Sequence, residues 1–284
     1  MKHIEDLLQS LFVMASMVEA RDPYTGGHLW RVSQFSMLLA DKGGLPKSEV
    51  ARISVGGFLH DLGKISVPDA ILGKEGPLTD DEYGVIKTHP EVGSRLLAGH
   101  PLAALVRGAV LSHHEVPTGR GYPHGLVGDD IPVEAKIVGI CDAFDAMTST
   151  RPYRQGMEIG KALNIIEENL GSQFDATFAQ LFLQLGRSGQ LNGIVGHSEA
   201  GIPMQHCPMC GPTIVVTRKH QVGDHLYCRH CGGEAELQKR GGEYHVNSTG
   251  QMGGPSDLEP EVDIDLIQEL VLLVADHLHK EAAE

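Results

Sequence analysis

The chain has 284 residues, a formal net charge of −14 and five cysteines. This length fits one large domain, or one domain with a small module. The acidic balance argues against a general nucleic-acid coat protein. No apolar run reaches the ~18 residues that a membrane-spanning helix needs. Cysteines that are few and mostly grouped in late pairs favour a reducing cytoplasm over a secreted disulfide framework.

Helical patterns dominate residues 1–190, where short Gly/Pro breaks separate the apolar stretches. Acids interrupt the apolar pattern of the N-terminal stretch, which predicts an amphipathic helix rather than a signal peptide. Thr79, followed by three acids, predicts an N-cap for a helix that continues to Leu97. Because strand signals are weak, this part of the chain is predicted to be all-α.

The pattern changes after residue 190. Glycine-rich composition predicts a linker over 191–203, and short β-like pieces around two cysteine pairs predict a small module over 204–246. A second linker is predicted over 247–260 and an amphipathic C-terminal helix over 261–281. The fold class is therefore predicted to be mainly α: a helical bundle, a small β-rich module and a C-terminal helix.

Four of the cysteines form two closely spaced pairs, Cys207-x2-Cys210 and Cys228-x2-Cys231. In a reducing compartment this spacing is typical of a structural tetrathiolate zinc site, with free thiols or redox pairs as the alternative. The module resembles a zinc ribbon. Its basic residues nearly balance its acids, so it shows no nucleic-acid footprint. We expect it to contact a protein partner or to serve a regulatory role.

Histidines and aspartates recur where apolar helical patterns end. His60 and Asp61 end one apolar run, and Lys64 shares their helical face. Buried charge costs several kcal/mol unless it is paired or binds a metal. Taken singly, each histidine is better explained as a surface residue or a hydrogen-bonded core residue than as a metal ligand. Together, nitrogen and oxygen donors without a thiolate suit a cluster of divalent metals: His28, His60, Asp61, His89, His113, His114 and Asp142.

Five stretches, in order, resemble the HD-GYP domain, the branch of the HD phosphohydrolase superfamily associated with cyclic di-GMP hydrolysis. They are DPYTGGH, HDLGKISVPDAIL, LTDDEYGVIKTHPEVG, HHEVPTGRGYPHGLVGDDIP and AKIVGICDAFDAMTSTRPYR. The resemblance implies the helical HD-domain bundle and a metal-dependent phosphodiesterase that converts cyclic di-GMP to linear pGpG, GMP or both. Two alternatives stay open: a non-hydrolysing sensor of a cyclic dinucleotide or partner, and a hydrolase of another cyclic dinucleotide such as 3′,3′-cGAMP.

The resemblance also implies roles for individual residues. The seven histidines and aspartates named above correspond to metal ligands, and Lys64 and Tyr122 to substrate contacts. Arg151 and Arg154 correspond to contacts with phosphate or guanine. Asp61 and Lys64 are expected to be catalytic, with Asp61 bridging two ions. Asp145 is expected near the substrate and is one candidate proton donor.

The expected cofactors are divalent ions, iron or manganese, in the HD site and one structural zinc in the ribbon. Tyr24 stands where some HD-GYP members have a glutamate that resembles a ligand for a third metal, and a neutral phenol is a poor ligand. We therefore expect two tightly held ions and at most a weak third. The expected partners are a cyclic dinucleotide and a protein bound through the ribbon or C-terminal helix, with a homodimer also considered. Neither a membrane nor a nucleic acid is expected as a partner.

Overall fold

Helices account for most of the structure, a computed structural model that describes residues 2–21, 26–74, 76–150, 154–211, 213–259 and 261–281. The α-helices of these residues are α1 (Lys2–Glu19), α2 (His28–Lys42), α3 (Lys47–Leu59), α4 (Asp69–Leu72), α5 (Asp80–Ile86), α6 (His89–Leu97), α7 (Ala103–Ser112), α8 (Val133–Thr148), α9 (Ile159–Glu168), α10 (Ala176–Arg187) and α11 (Ile264–Glu281). Short 3₁₀ turns cover Leu62–Ser66, Gly128–Asp130 and Pro255–Leu258. The predicted fold class, mainly α with a small β module, is confirmed.

Short strands lie between α10 and α11. They are β1 (His197–Glu199), β2 (Ile202–Pro203), β3 (Gln205–His206), β4 (Thr213–Ile214), β5 (His225–Tyr227), β6 (Gly233–Arg240) and β7 (Glu243–Met252). Strands β1 and β2 form one antiparallel pair and β3 and β4 another, while β5, β6 and β7 form an antiparallel sheet in that order. Leu226 and Leu237 of the sheet pack with Ile214 and Val216 into a small core of their own.

Two apolar cores hold the helices together. One is built on α2, α8 and α10, where the rings of Phe35, Phe144 and Phe182 meet edge to face. The other lies between α1, α3, α7 and α11 and contains the edge-to-face pair of Phe12 and Phe58. The buried side of α1 faces this second core, which confirms the predicted amphipathic N-terminal helix.

The C-terminal helix returns to the helical bundle. Ile267, Leu270, Val271 and Val274 of α11 are buried in the same core as residues of α1 and α3. The sequence therefore crosses from the bundle into the cysteine module and comes back. This return places the module between two segments that are both fixed to the helical domain.

The structure differs from the expected linkers and from one expected helix. Leu191 is buried and β1 and β2 occupy the end of segment 191–203, while β7 extends to Met252 in segment 247–260. Glycines weakened the sequence pattern, but backbone pairing fixes both segments. The predicted helix from Thr79 to Leu97 is divided after Ile86, although Thr79 does form an N-cap with a capping box to Glu82. The domain boundaries themselves stay a prediction.

Among the described residues, no helix combines the length and apolar character needed to cross a membrane.

The packing of α11 predicts unequal effects for two of its leucines. Leu270 is 4% exposed in the core, whereas Leu272 is 64% exposed on the same helix. Leu270→Ala should destabilise the helical domain by about 2–5 kcal/mol through loss of buried contacts. Leu272→Ala should change its stability by no more than about 0.5 kcal/mol. Urea unfolding followed by helical circular dichroism measures both, and equal midpoints would contradict the docking of α11.

Candidate metal centre

The ends of three helices meet at one buried place in the helical domain. His60 follows α3 directly, His113 follows α7 directly, and His89 begins α6 three residues after α5 ends. The last carbonyl groups of a helix have no partner within it and carry the negative end of the helix dipole. Three such ends therefore favour hydrogen-bond donors and cations at this place.

A glycine lets the 3₁₀ turn after Asp61 pack closely against the start of α6. Gly63 lies in the 3₁₀ turn after Asp61, where a Cβ atom would lie 1.8 Å from the carbonyl oxygen of His89. No other residue type fits this contact without a shift of the backbone. The glycine of the HDLGK stretch thus brings the segment of His60 and Asp61 against the start of α6.

Each of four buried imidazoles is oriented through its Nδ1 atom. Nδ1 donates to a main-chain carbonyl three or four residues earlier, at 2.7 Å for His60, 2.8 Å for His89 and 3.0 Å for His113. In His28, Nδ1 donates to the Asp145 carboxylate at 2.8 Å. Because Nδ1 carries a proton in each ring, Nε2 is the atom that is left to bind a metal.

The four Nε2 atoms lie in two close pairs. Those of His28 and His60 are 3.3 Å apart, and those of His89 and His113 are 3.2 Å apart. Two nitrogens that bind one ion at about 2.0–2.1 Å lie about 3.0–3.4 Å apart for angles between square and tetrahedral. The spacing therefore fits paired ligands. The donor groups are His28 with His60 and Asp142, and His89 with His113 and His114.

Asp61 lies between these two groups. Its Oδ2 atom is 3.4 Å from Nε2 of His60 and 3.6 Å from Nε2 of His28, while Oδ1 is 3.4 Å from Nε2 of His89. The Lys64 ammonium lies 2.6 Å from Oδ2. A carboxylate with one oxygen toward each group has the position that a bridging ligand needs.

Burial and mutual charge set the protonation of the site. Burial lowers the pKa of His89, His113 and His114, that of His114 to about 4. Burial opposes the ionisation of Asp61, but Lys64 and the imidazoles hold its pKa well below the ordinary value. His89, His113 and His114 are thus neutral imidazoles beside an ionised carboxylate, the form that ligates cations.

His28 and Asp142 show the attraction of this site for positive charge. Burial disfavours a charged imidazole at His28, yet the neighbouring carboxylates of Asp145 and Asp61 raise its pKa to about 10. Burial likewise opposes the ionisation of Asp142, and His60 and His28 lower its pKa. Carboxylates at this density favour a cation, whether a proton or a metal.

One wall of the site is aromatic. The rings of His114 and Tyr122 stack with centroids 4.6 Å apart and an interplanar angle of 29°. The Lys87 ammonium lies 5.9 Å from the Tyr122 centroid and 5.2 Å from that of Tyr83. Burial raises the pKa of Tyr122, so its phenol stays protonated. Tyr122 therefore lies beside the donor groups, where a substrate contact was predicted.

Asp145, which was expected near the substrate, is buried behind His28 in the structure. Its side chain is 1% exposed and both oxygens are engaged by neighbouring side chains. Arg31 approaches Oδ1 through Nε at 2.6 Å and Oδ2 through Nη2 at 3.0 Å, and His28 donates to Oδ2. The carboxylate lies behind the imidazole rather than in front of the site, because its position on α8 turns it toward α2. Asp145 therefore orients His28.

The remaining predicted site residues are less informative. Nη2 of Arg154 donates to the carbonyl oxygen of Ala146 near the end of α8. Arg151 and Tyr24 lie outside the described residues. Thr118, four residues before Tyr122, donates from Oγ1 to the carbonyl oxygen of Ser172 at 3.3 Å.

Glu115 is a functional candidate that was not among the site residues predicted from the sequence. Its buried carboxylate accepts hydrogen bonds from the main-chain N–H groups of His124, Gly125 and Leu126, at 2.7, 3.1 and 3.0 Å. These bonds close the loop that carries Tyr122. The only sequence signal was a charged residue directly after two candidate ligands.

The four paired cysteines meet in the small module. The Sγ atoms of Cys207 and Cys231 are 3.7 Å apart, those of Cys210 and Cys228 are 3.6 Å apart, and all four lie within 4.8 Å of one another. Ligands at the Zn–S distance of about 2.3 Å lie about 3.8 Å apart in a tetrahedron. The geometry fits one tetrahedral ion. Cys141, by contrast, is buried in the helical core.

Comparison with known proteins supports the helical part of this description. A family model described as the HD domain matches residues 12–178, which is more than half of the chain. The chain belongs to the HD-domain family. The HD domain therefore includes all seven predicted ligands, and the resemblance seen in the sequence is confirmed.

Curated relatives share the HD domain but extend beyond it. The cyclic di-GMP phosphodiesterase response regulator RpfG of Xanthomonas campestris is 41% identical over 190 residues, covering 66% of this chain and 50% of the relative. The 3′3′-cGAMP-specific phosphodiesterase 3 of Vibrio cholerae is 38% identical over 160 residues, 56% of this chain and 35% of the relative. The chain thus spans half or less of the length of these two relatives.

A solved structure shares the fold. The crystal structure of a cyclic GMP-AMP-specific phosphodiesterase of Vibrio cholerae has a TM-score of 0.50 at 18% identity, covering 65% of this chain and 50% of that one. This likeness supports the arrangement of helices that carries the HD domain.

The Glu115 contacts predict a local effect on the Tyr122 loop. Glu115→Ala would leave three main-chain N–H groups without their acceptor, and hydrogen bonds to a charged group contribute about 1.5–3 kcal/mol each. Amide hydrogen exchange at residues 124–126 should accelerate by at least about tenfold. Asp130→Ala, at an exposed position of the same loop, should leave exchange unchanged. Equal rates in both variants would contradict the role of Glu115.

Proposed function

We propose that this chain is a metal-dependent phosphodiesterase that hydrolyses a cyclic dinucleotide, with cyclic di-GMP as the first substrate to test. The observation that carries the proposal is the convergence of four Nε2 atoms, each with its Nδ1 atom fixed, around the carboxylates of Asp61 and Asp142. Such a set of imidazole nitrogens and carboxylate oxygens is suited to divalent cations.

The proposed ligands divide between two ions. His28, His60 and Asp142 would hold one ion, and His89, His113 and His114 the other, with Asp61 shared between them. Iron and manganese are the proposed metals, since imidazole and carboxylate donors suit both. Two tightly held ions remain our expectation, because the four Nε2 atoms lie in two close pairs.

Each residue then has a definite task. Bound divalent ions would supply Lewis acidity toward a phosphate oxygen and would lower the pKa of water. Asp61 keeps the two donor groups at a fixed separation, and Lys64 places a positive charge beside it at 2.6 Å. Tyr122, stacked on His114, offers an aromatic surface and a protonated hydroxyl for the nucleotide. Arg151 and Arg154 remain proposed phosphate or guanine contacts.

The relatives supply the choice of substrate. RpfG is named a cyclic di-GMP phosphodiesterase and is 41% identical, while the matched 3′3′-cGAMP-specific enzyme is 38% identical. This difference is too small to select one purine over another, so both cyclic dinucleotides belong in the assay. A sensor that binds without hydrolysis is disfavoured by the complete ligand set.

The cysteine module is proposed to hold one structural zinc ion. Main-chain N–H groups of Met209 and Gly233 approach the Sγ atoms of Cys207 and Cys231 at 3.4 Å, which stabilises negative charge on the sulfurs. Such thiolates need a reducing compartment, and the cytoplasm remains the proposed location. A protein partner for this module, and a homodimer, also remain proposals.

Replacing the proposed bridge tests the function. Asp61→Asn should reduce hydrolysis of cyclic di-GMP and of 3′,3′-cGAMP by at least about a thousandfold, because a neutral amide cannot balance two cations. Its iron or manganese content should fall by at least one ion per chain. Product chromatography and elemental analysis measure the two effects. Asp81→Asn, on the exposed side of α5, is the control. Wild-type rates in Asp61→Asn would refute a bimetallic site.

Replacing one cysteine tests the zinc proposal. Cys207→Ser should lower the zinc content by one ion per chain, since three thiolates and a hydroxyl bind zinc poorly. The amides of β5, β6 and β7 should then lose protection from hydrogen exchange. The control is Met209→Ser, which changes a half-exposed residue between Cys207 and Cys210 and should retain zinc. Unchanged zinc content in Cys207→Ser would argue against a tetrathiolate site.

A further inference from the structure

Arg31 is a buried arginine to which neither the sequence reading nor the proposed chemistry gives a role. It lies on α2, three residues after His28, and is 1% exposed. Its Nε and Nη2 atoms form a bidentate pair with the Asp145 carboxylate at 2.6 and 3.0 Å. A guanidinium that is buried this completely must have its other N–H groups satisfied as well.

The other side of the guanidinium faces the segment that leads into the cysteine module. Nη1 lies 3.0 Å from the carbonyl oxygen of Gly26, 3.0 Å from that of His197 and 3.2 Å from Sδ of Met204. His197 begins β1, and Met204 follows β2 and lies three residues before Cys207. Arg31 thus contacts the β1–β2 hairpin with one edge of its guanidinium. The other edge contacts the Asp145 carboxylate, which orients His28.

Close backbone packing fixes the same hairpin against the start of α2. Gly27 has a φ angle of +72°, and a Cβ atom there would lie 2.8 Å from Cα of Ser198. Ser198 in turn donates to the carbonyl oxygen of Val216 at 2.5 Å, and the buried Glu199 carboxylate binds Arg218. The hairpin is therefore held between the cysteine module and the residue that precedes His28.

These contacts form one continuous path. The His197 carbonyl accepts from Arg31, Arg31 donates to Asp145, and Asp145 accepts from Nδ1 of His28. A carboxylate behind a ligating imidazole fixes its tautomer and ring orientation. Asp145 can hold that position at low energetic cost only while Arg31 balances its buried charge.

We propose that Arg31 is a positioning residue that makes the metal affinity of the HD site depend on docking of the β1–β2 hairpin. The proposal rests on the proposed function in one respect, that the site holds a divalent ion. Lysine cannot replace arginine here, because a point charge cannot make the bidentate pair and reach the hairpin carbonyl together.

Binding of Mn²⁺ to the full-length chain tests the first half of the proposal, with free Mn²⁺ followed by electron paramagnetic resonance. Arg31→Lys should weaken the tightest Mn²⁺ site by about 10–100-fold, the usual effect of losing support behind a ligand. Asp145→Asn provides a second variant with the same expected loss. The double variant should bind no more weakly than the weaker of the two, because both changes act on His28 along one path.

A matched control separates positioning from general destabilisation. Leu270→Ala removes core contacts of α11 without touching the path, so it should leave Mn²⁺ affinity within about twofold of the wild type. If Leu270→Ala weakens binding as much as Arg31→Lys, or if Arg31→Lys binds as the wild type does, the proposal is overturned. In these outcomes the wild type still binds Mn²⁺ and the proposed function stands, whereas a wild type that binds no Mn²⁺ would overturn the proposed function together with the proposal.

The hairpin half of the proposal needs a double-mutant cycle. Arg218→Met loosens Glu199, two residues from His197, without contacting Asp145 or His28. It should weaken Mn²⁺ binding by about two- to fivefold when Arg31 is present and should have no effect in the Arg31→Lys background. Equal effects in both backgrounds, or no effect in either, would show that the hairpin does not act through Arg31.

Discussion

The structure depends on one constraint: several ionisable side chains are buried together, and each must be compensated. Asp61, Asp142 and Asp145 lie within the helical domain beside four imidazoles, with Arg31 and Lys64 as the nearby cations. Desolvation of so many groups costs several kcal/mol for each one that is left unpaired. The surrounding helices are arranged to meet this cost, through their C-terminal carbonyl groups and through one buried arginine.

Helix ends solve much of this problem with the main chain. His60 and His113 directly follow the last residues of α3 and α7, where carbonyl groups of the last helical turn accept their Nδ1 protons. The same choice of position therefore satisfies the helix end, fixes the tautomer and directs Nε2 into the site. His28 begins a helix instead and has no such carbonyl, so a carboxylate from α8 takes its place. This exception explains why Asp145 and Arg31 are needed.

The sequence predicted the parts of the site that local pattern encodes. The predicted ligands lie within or at the ends of helical patterns and in recognisable stretches, so their type and spacing could be predicted from the sequence. The contacts that orient His28 could not be predicted from the sequence. Arg31 and Asp145 are 114 residues apart, and each looks like an ordinary polar residue of a helix. The sequence pattern therefore suggested a position near the substrate for Asp145. The strands inside the expected linkers could not be predicted either, because pairing of β1 with β2 and of β7 with β6 orders residues whose own sequence pattern is weak.

The HD site and the cysteine module differ in donor chemistry, and the fold keeps thiol groups out of the HD site. Cys141 precedes Asp142 on α8, yet a step of one residue turns its side chain by about 100°. Cys141 is consequently buried in the apolar core, where burial raises the pKa of its thiol, while Asp142 faces His28 and His60. A thiolate in the HD site would favour softer metals, as the four cysteines of the module do. The orientation of a single helix thus preserves a site of nitrogen and oxygen donors in a chain that also carries a four-sulfur site.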